Sequence, residues 1–306
     1  MPNYHLCYTS HDEVMFRNAA DMDVAFNSLC SALYKTDSAC YAETFLTDHH
    51  HGCYRTRCPG ELIRTARESY TKQFNHKYLR DGPLGERGFF LQEISGERHF
   101  LAALSYVLKN PPHHGVADTP FAYPYSSANA FFRTSLGKAE VPDLLPPGQI
   151  PQFLPRRAAF DPSWKMLPSG VFWRPSVLDV AAVEAAYGSY QAFNYYLGRK
   201  IGDDWKKEQD CDQNGAAPLT LESFEAPVLV RADVSLPDLL RNEKSRYRTA
   251  AITDLELCGI IDTQIIPRIG KKSVYQLSLN EKIAIANDLY TRYPVGKAQL
   301  KRCLVL

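Results

Sequence analysis

No pair of cysteines stands in a CxxC spacing, no apolar run approaches the roughly 18–20 residues a membrane helix needs, and no segment repeats. The eight cysteines (Cys7, Cys30, Cys40, Cys53, Cys58, Cys211, Cys258, Cys303) are scattered through 306 residues, which argues against both a disulfide framework and a zinc ribbon. The opening MPNYHLCYTSHDEV has no apolar segment of the secretory kind, so a cytoplasmic protein with no membrane partner is expected. Net charge is also nearly absent, with 35 Lys+Arg against 34 Asp+Glu, and a nucleic-acid partner cannot be read from that total. It has to be sought locally. From Arg246 to Leu306 ten basic residues face five acidic ones, a local excess of +5. What is abundant is apolar material, 45% of the chain, enough for a real core.

The pattern predicts a strand at YHLCYT (4–9), then a helix in FRNAADMDVAFNSLCSALYK, where Val24, Phe26, Leu29, Leu33 and Tyr34 recur at helical spacing. CYAETFLT (40–47) and HHGCYRT (50–56) read as two strands joined tightly around Asp48 and His49. Pro59 opens a helix with Leu62, Ala66, Tyr70, Phe74 and Tyr78 along one side and Arg64, Arg67, Lys72 and Lys77 along another. After the turn DGPLGERG comes a strand (88–94), then a helix capped by Ser95 and expected to end at Pro111 and Pro112. This order predicts an α+β fold, a ferredoxin-like sandwich of antiparallel sheet and helices on one face, with one added helix. The first domain is expected over 1–135, a proline-rich connector over 136–175, and a mainly helical region over 176–306. That last region should hold one long helix (176–200), a polar loop (204–218) and two short helices around Pro294 and Gly296, compatible with a helix-turn-helix or a plain helical hairpin.

Along a strand, residues two apart share a face, so His49, His51, Cys53 and Arg55 go one way and His50 the other. His49 and His51 can thus ligate one ion. On the helix at 96–110, Phe100, Leu101, Leu104, Val107 and Leu108 mark the apolar stripe, while Tyr106 falls roughly 160° from its centre and Asn110 lies beside it one turn on.

The blocks YHLCYTSHDEVMFRNAADM, TFLTDHHHGCYRT, ESYTKQFNHKY, DGPLGERGFF and FLAALSYVLKNPPHHGVADTPFAYPYSS together resemble the successive blocks of REP-associated tyrosine transposases, within the single-tyrosine HUH nucleases. The resemblance covers about residues 3–130. It implies that His49 and His51 are metal ligands, that Asn110 completes the metal site, and that Tyr106 is the nucleophile. Two imidazoles and an amide oxygen leave positions open for phosphate and water, which suits Mg²⁺ or Mn²⁺. Attack of Tyr106 on a phosphodiester would leave a 5′-phosphotyrosine and a free 3′-hydroxyl, permitting strand transfer as well as cutting. The implied partner is single-stranded DNA folded as a hairpin, with Arg55, Arg57, Arg64, Arg67 and Lys72 as candidate phosphate contacts. Monomer and homodimer stay equally open. The tail QLSLNEKIAIANDLYTRYPVGKAQLKRCL resembles the C-terminal helical segment of longer members.

Two positions depart from the family pattern: His50 stands where a hydrophobic residue is usual, and Thr47 where a proline is usual. Two rival readings remain. One is a zinc site of His49, His51, Cys53 and Cys58, with soft sulfur ligands closing the shell. The other is a domesticated relative that binds hairpin DNA without turnover.

Overall fold

The computed structural model describes residues 1–198, 228–229 and 252–306. The loop expected at 204–218, with Cys211, lies outside them.

Four strands, β1 (Asn3–Thr9), β2 (Ala39–Leu46), β3 (His49–Arg55) and β4 (Phe90–Ile94), pair antiparallel in the order β2-β3-β1-β4, and a two-residue β5 (Val228–Leu229) extends the β4 edge. With α1 (Ala19–Lys35) after β1 and α2 (Pro59–Tyr78) after β3, this is the ferredoxin-like βαββαβ arrangement, and the α+β fold stands. α1 begins where Asn18 Oδ1 accepts from the Asp21 amide at 3.1 Å. The periodic side of α2 is buried as expected: Leu62, Ala66, Tyr70, Phe74 and Tyr78 all face the core, and a buried side chain such as Phe74 contributes roughly 1.5–3 kcal/mol.

Strand alternation divides the sheet. Leu6, Tyr8, His50, Gly52 and Tyr54 face α1 and α2, where Tyr8 lies under the Arg67 guanidinium of α2. His5, Cys7, His49, His51 and Cys53 face the opposite way, toward α3 (Gly96–His113). The added helix therefore covers the second face of the sheet.

Two details of α3 differ from the sequence expectation. It runs through Pro111 and Pro112 to His113. Pro111 has no N–H to give the Val107 carbonyl, and Thr44 Oγ1 of β2 donates to that carbonyl instead, at 2.8 Å. The side of α3 away from its apolar stripe is covered as well, and Tyr106 is buried. A second layer, α5 (Val180–Tyr187) and α6 (Tyr190–Gly198), packs behind α3 through a Ser105 Oγ–Tyr187 Oη hydrogen bond of 2.9 Å, so α3 is buried nearly all round.

The long helix expected at 176–200 is three pieces. A single turn, α4 (Arg174–Val177), precedes α5, which starts afresh because Asp179 Oδ1 caps the Ala182 amide at 3.2 Å, and Gly188 ends it at φ 71°, a left-handed conformation glycine adopts without strain. The preceding proline-rich stretch contributes Ile150, Met166 and Phe172 to the same core as the sheet.

The last segment builds a smaller core of its own. α7 (Asp254–Ile260) widens into a π-helical turn (Ile261–Ile265) ahead of Pro267, and is followed by α8 (Leu279–Arg292) and α9 (Lys297–Leu304). α7 and α8 both start in capping boxes, Thr253 with Glu256 and Ser278 with Glu281. This unit docks on the loop after β1: Arg17, wholly buried, donates to both Asp262 oxygens at 2.8 Å and to the Cys303 carbonyl at 2.9 Å. Among the described residues no helix is long and apolar enough to cross a membrane.

Candidate functional site

The turn from β2 to β3 is only Thr47 and Asp48, so β3 starts at once with its histidines. β1 lies alongside with Thr9 opposite His49 and Cys7 opposite His51. Alternation then gathers His5, His49 and His51 beneath α3, all three without solvent exposure. From α3 comes Tyr106, whose ring centroid stands 5.3 Å from that of His51 and 5.5 Å from that of His5. His99 and Asn110 lie one to two turns either side of Tyr106, and the His114 ring closes on His49 at 4.8 Å. The His49 and His51 centroids are 5.3 Å apart with their planes nearly perpendicular.

Each candidate metal ligand is held by its Nδ1. His49 Nδ1 lies 2.7 Å from Asp48 Oδ1, and as the carboxylate can only accept, the proton sits on Nδ1 and leaves the Nε2 lone pair for a ligand. His51 Nδ1 lies 3.1 Å from His5 Nε2; with the proton on His51 Nδ1, its buried Nε2 is the nitrogen that can ligate. Burial pushes the His51 imidazole well below its usual range and His5 to about 3, His99 adding to the second shift, so both are neutral. Asn110 Nδ2 donates to the Tyr106 carbonyl at 3.1 Å, which fixes the amide's orientation and turns Oδ1 to the other side.

Two side-chain atoms here, His51 Nε2 and Asn110 Oδ1, are buried and have no hydrogen-bond partner. Such atoms ordinarily cost about 1–3 kcal/mol each. An imidazole nitrogen and an amide oxygen are donor types that suit Mg²⁺ or Mn²⁺.

His50, the departure between the two ligands, packs on the other face between Phe45, at 4.2 Å between centroids, and Tyr8 at 5.0 Å. Burial lowers its pKa to about 3, so it is a neutral aromatic filling an apolar position, and its Nε2 accepts from Tyr54 Oη at 3.2 Å. Gly52 leaves room for that bond, since a Cβ there would clash with the Tyr54 phenol. Thr47, the second departure, sends its hydroxyl to Asp254 Oδ2 at 3.3 Å, across to the C-terminal unit.

The zinc alternative is not assembled. Among the described residues no group of three or more His, Cys, Asp or Glu is arranged to hold a metal ion. Cys58 sits at the start of α2 with its sulfur 3.8 Å from the Thr36 carbonyl, among other partners than the histidines.

The candidate DNA contacts are not gathered at this site. Arg55 and Arg57 lie at the far end of β3, about 20 Å from His49 at the strand's rise per residue. Arg55 is exposed, 3.7 Å from Asp179, and Arg57 is exposed as well. Arg64 pairs with Glu68 on the outer side of α2, and Lys72 lines a groove there with Lys35 and Arg157. Arg67 turns inward, donating to the carbonyls of Leu84, Glu86 and Gly88, and so anchors the glycine turn. That turn closes on β1 through Gly85, at φ 72°, where a Cβ would meet the Thr9 carbonyl at 2.9 Å.

Sequence reasoning missed His5, Asp48 and His114. Asp48 had a signal, being the residue directly before the first ligand; His5 and His114 had none before the strand register was known.

No protein-family model matches the chain, and comparison with curated proteins returns no match. Among solved structures, one described as a REP-associated tyrosine transposase bound to a REP hairpin superposes with a TM-score of 0.38 at 12% identity, over 46% of this chain and 82% of that one. A likeness of that size assigns neither family nor activity, and the functional reading is carried by the side chains.

Proposed function

We propose that this chain is a metal-dependent endonuclease and strand transferase for single-stranded hairpin DNA, with Tyr106 as its nucleophile. One observation carries the reading: Tyr106 of α3 stands against His51 of β3, whose ring adjoins that of His49, and His51 Nε2 and Asn110 Oδ1 are buried polar atoms without a hydrogen-bond partner. The choice of hairpin DNA comes from the five sequence blocks that resemble the tyrosine transposases.

His49, His51 and Asn110 would hold Mg²⁺ or Mn²⁺, which when bound withdraws charge from a phosphate. Tyr106 Oη attacks the phosphorus, the bond to the 3′ oxygen breaks, and the 3′ oxygen leaves as a hydroxyl carrying the proton tyrosine gives up. The product is a 5′-phosphotyrosine. Attack by a second 3′-hydroxyl reverses the step and returns the proton to Tyr106, so rejoining needs no ATP. The neutral imidazoles of His5 and His51 surround the tyrosine ring and keep the pocket free of competing positive charge.

Hairpin binding without turnover is the second reading, favoured by the burial of Tyr106, which is only 7% exposed. Incubation with a labelled single-stranded hairpin and Mn²⁺, followed by denaturing electrophoresis, separates the two. Cleavage predicts a covalent adduct lost in Tyr106→Phe, in His49→Ala and with EDTA. A bound hairpin with no adduct in either ion overturns the nuclease reading in favour of the second.

A further inference from the structure

We infer that Arg302, in the last helix of the chain, is a positioning residue for His49 and acts through Asp48. The inference rests on the proposed metal site and extends it by a residue that lies far from His49 along the chain.

Arg302 is brought in by α9, and its side chain is 3% exposed. Its Nη2 donates to Asp254 Oδ2 at 2.9 Å, and its Nε lies 3.7 Å from Asp48 Oδ2. The other oxygen of that same carboxylate, Asp48 Oδ1, is the one that accepts from His49 Nδ1 at 2.7 Å. Arg302, Asp48 and His49 thus form one continuous buried line, with the Asp48 and Asp254 side chains and the His49 ring wholly excluded from solvent. The backbone holds the two ends in register, since the Val14 amide donates to the Arg302 carbonyl at 3.3 Å and the Ser10 amide to the Asp48 carbonyl at 2.7 Å.

The carboxyl groups of Asp48 and Asp254 both face the one guanidinium. Arg302 fixes the rotation of the Asp48 carboxyl group, so that Oδ1 meets the His49 N–H. The carboxylate in turn holds His49 in the tautomer whose Nε2 can ligate. Helix α9 is therefore part of the site through Asp48.

Arg17 anchors the same C-terminal unit through Asp262 and the Cys303 carbonyl, which supplies the control. The test uses the full chain in four forms: wild type, Arg302→Met, Arg302→Lys, and Asp262→Asn. Two readouts are taken, the ¹⁵N imidazole shifts of His49, assigned with His49→Gln, and Mn²⁺ affinity by calorimetry. Expected are an Nδ1-protonated His49 in wild type and Asp262→Asn, a mixed tautomer in Arg302→Met with Mn²⁺ binding weakened about tenfold or more, and partial recovery in Arg302→Lys. If Arg302→Met does not fold, the double variant Arg302→Met/Asp254→Asn removes one carboxylate charge with the guanidinium and takes its place. Equal weakening in Asp262→Asn would reduce Arg302 to a docking contact and overturn the inference, as would an unchanged His49 tautomer in Arg302→Met. A tautomer change in a protein whose wild type takes up no Mn²⁺ upholds Arg302 and overturns the metal reading instead.

Discussion

Replacing His50 with phenylalanine separates the two faces of β3 in one experiment. His50 is wholly buried between Phe45 and Tyr8, its pKa is lowered from 6.5 to about 3 by burial, and its Nδ1 has no hydrogen-bond partner. In the unfolded chain the imidazole takes up a proton below pH 6.5, whereas in the folded chain it takes one up only near pH 3. Stability tied to this group is therefore complete above pH 6.5 and lost as the pH falls toward 3. At pH 5 the loss is about 1.5 pH units at 1.36 kcal/mol each, or about 2 kcal/mol. At pH 7 the substitution is close to neutral, because Tyr54 Oη loses an acceptor, at a cost of roughly 1–3 kcal/mol, while a buried unpaired nitrogen disappears. Urea unfolding in EDTA at both pH values reads the effect: wild type should lose about 2 kcal/mol more than His50→Phe between pH 7 and pH 5. DNA adduct formation at pH 7 should be unchanged, since His50 faces α1 and α2. Identical pH dependence in the two proteins refutes the buried neutral imidazole, and loss of the adduct refutes the assignment of faces.

Three further outcomes follow from the packing. Arg17→Met leaves Asp262 and the Cys303 carbonyl without their cation; as Asp262 is 20% exposed, a loss near the lower end of the usual range for breaking a buried pair, about 3 kcal/mol, is expected in urea unfolding. Gly52→Ala forces the Tyr54 ring away from His50 and should lower the thermal midpoint, an effect relieved in the double variant with Tyr54→Ala; no relief would place the strain elsewhere. Among the described cysteines, Cys58 is partly exposed and the other six are buried, so it should react first with a thiol reagent under native conditions, with mass spectrometry identifying the modified peptide.

Much of the fold and part of the site were legible because they rest on local periodicity. The two-residue period placed His49 and His51 together and His50 apart, and the four-residue recurrence along α2 gave its buried side. What was not legible came from contacts made by distant segments. α3 was read as having one apolar stripe and a free side, but α5 and α6 cover it from behind, and Thr44 lets it continue past Pro111. Asp179 and Gly188 had ordinary stop signals inside an apolar run, and the run outweighed them. Arg67 looked like a surface cation because its helical neighbours Arg64 and Lys72 are exposed, whereas three carbonyls of the following turn draw it inward. His5 and Arg302 are 297 positions apart in sequence, and only the sheet register and the docking of α9 bring the one to His51 and the other to Asp48, next to His49.

The most direct test of the central claim is to form the adduct with a labelled hairpin and Mn²⁺, digest it with trypsin and a nuclease, and locate the nucleotide remnant by mass spectrometry. Cleavage after Arg98 and Lys109 isolates the peptide HFLAALSYVLK, in which Tyr106 is the sole tyrosine. The account predicts a phosphodiester-linked nucleotide on that peptide and on no other. A remnant on any other tyrosine, or an unmodified peptide beside a cut strand, would contradict it.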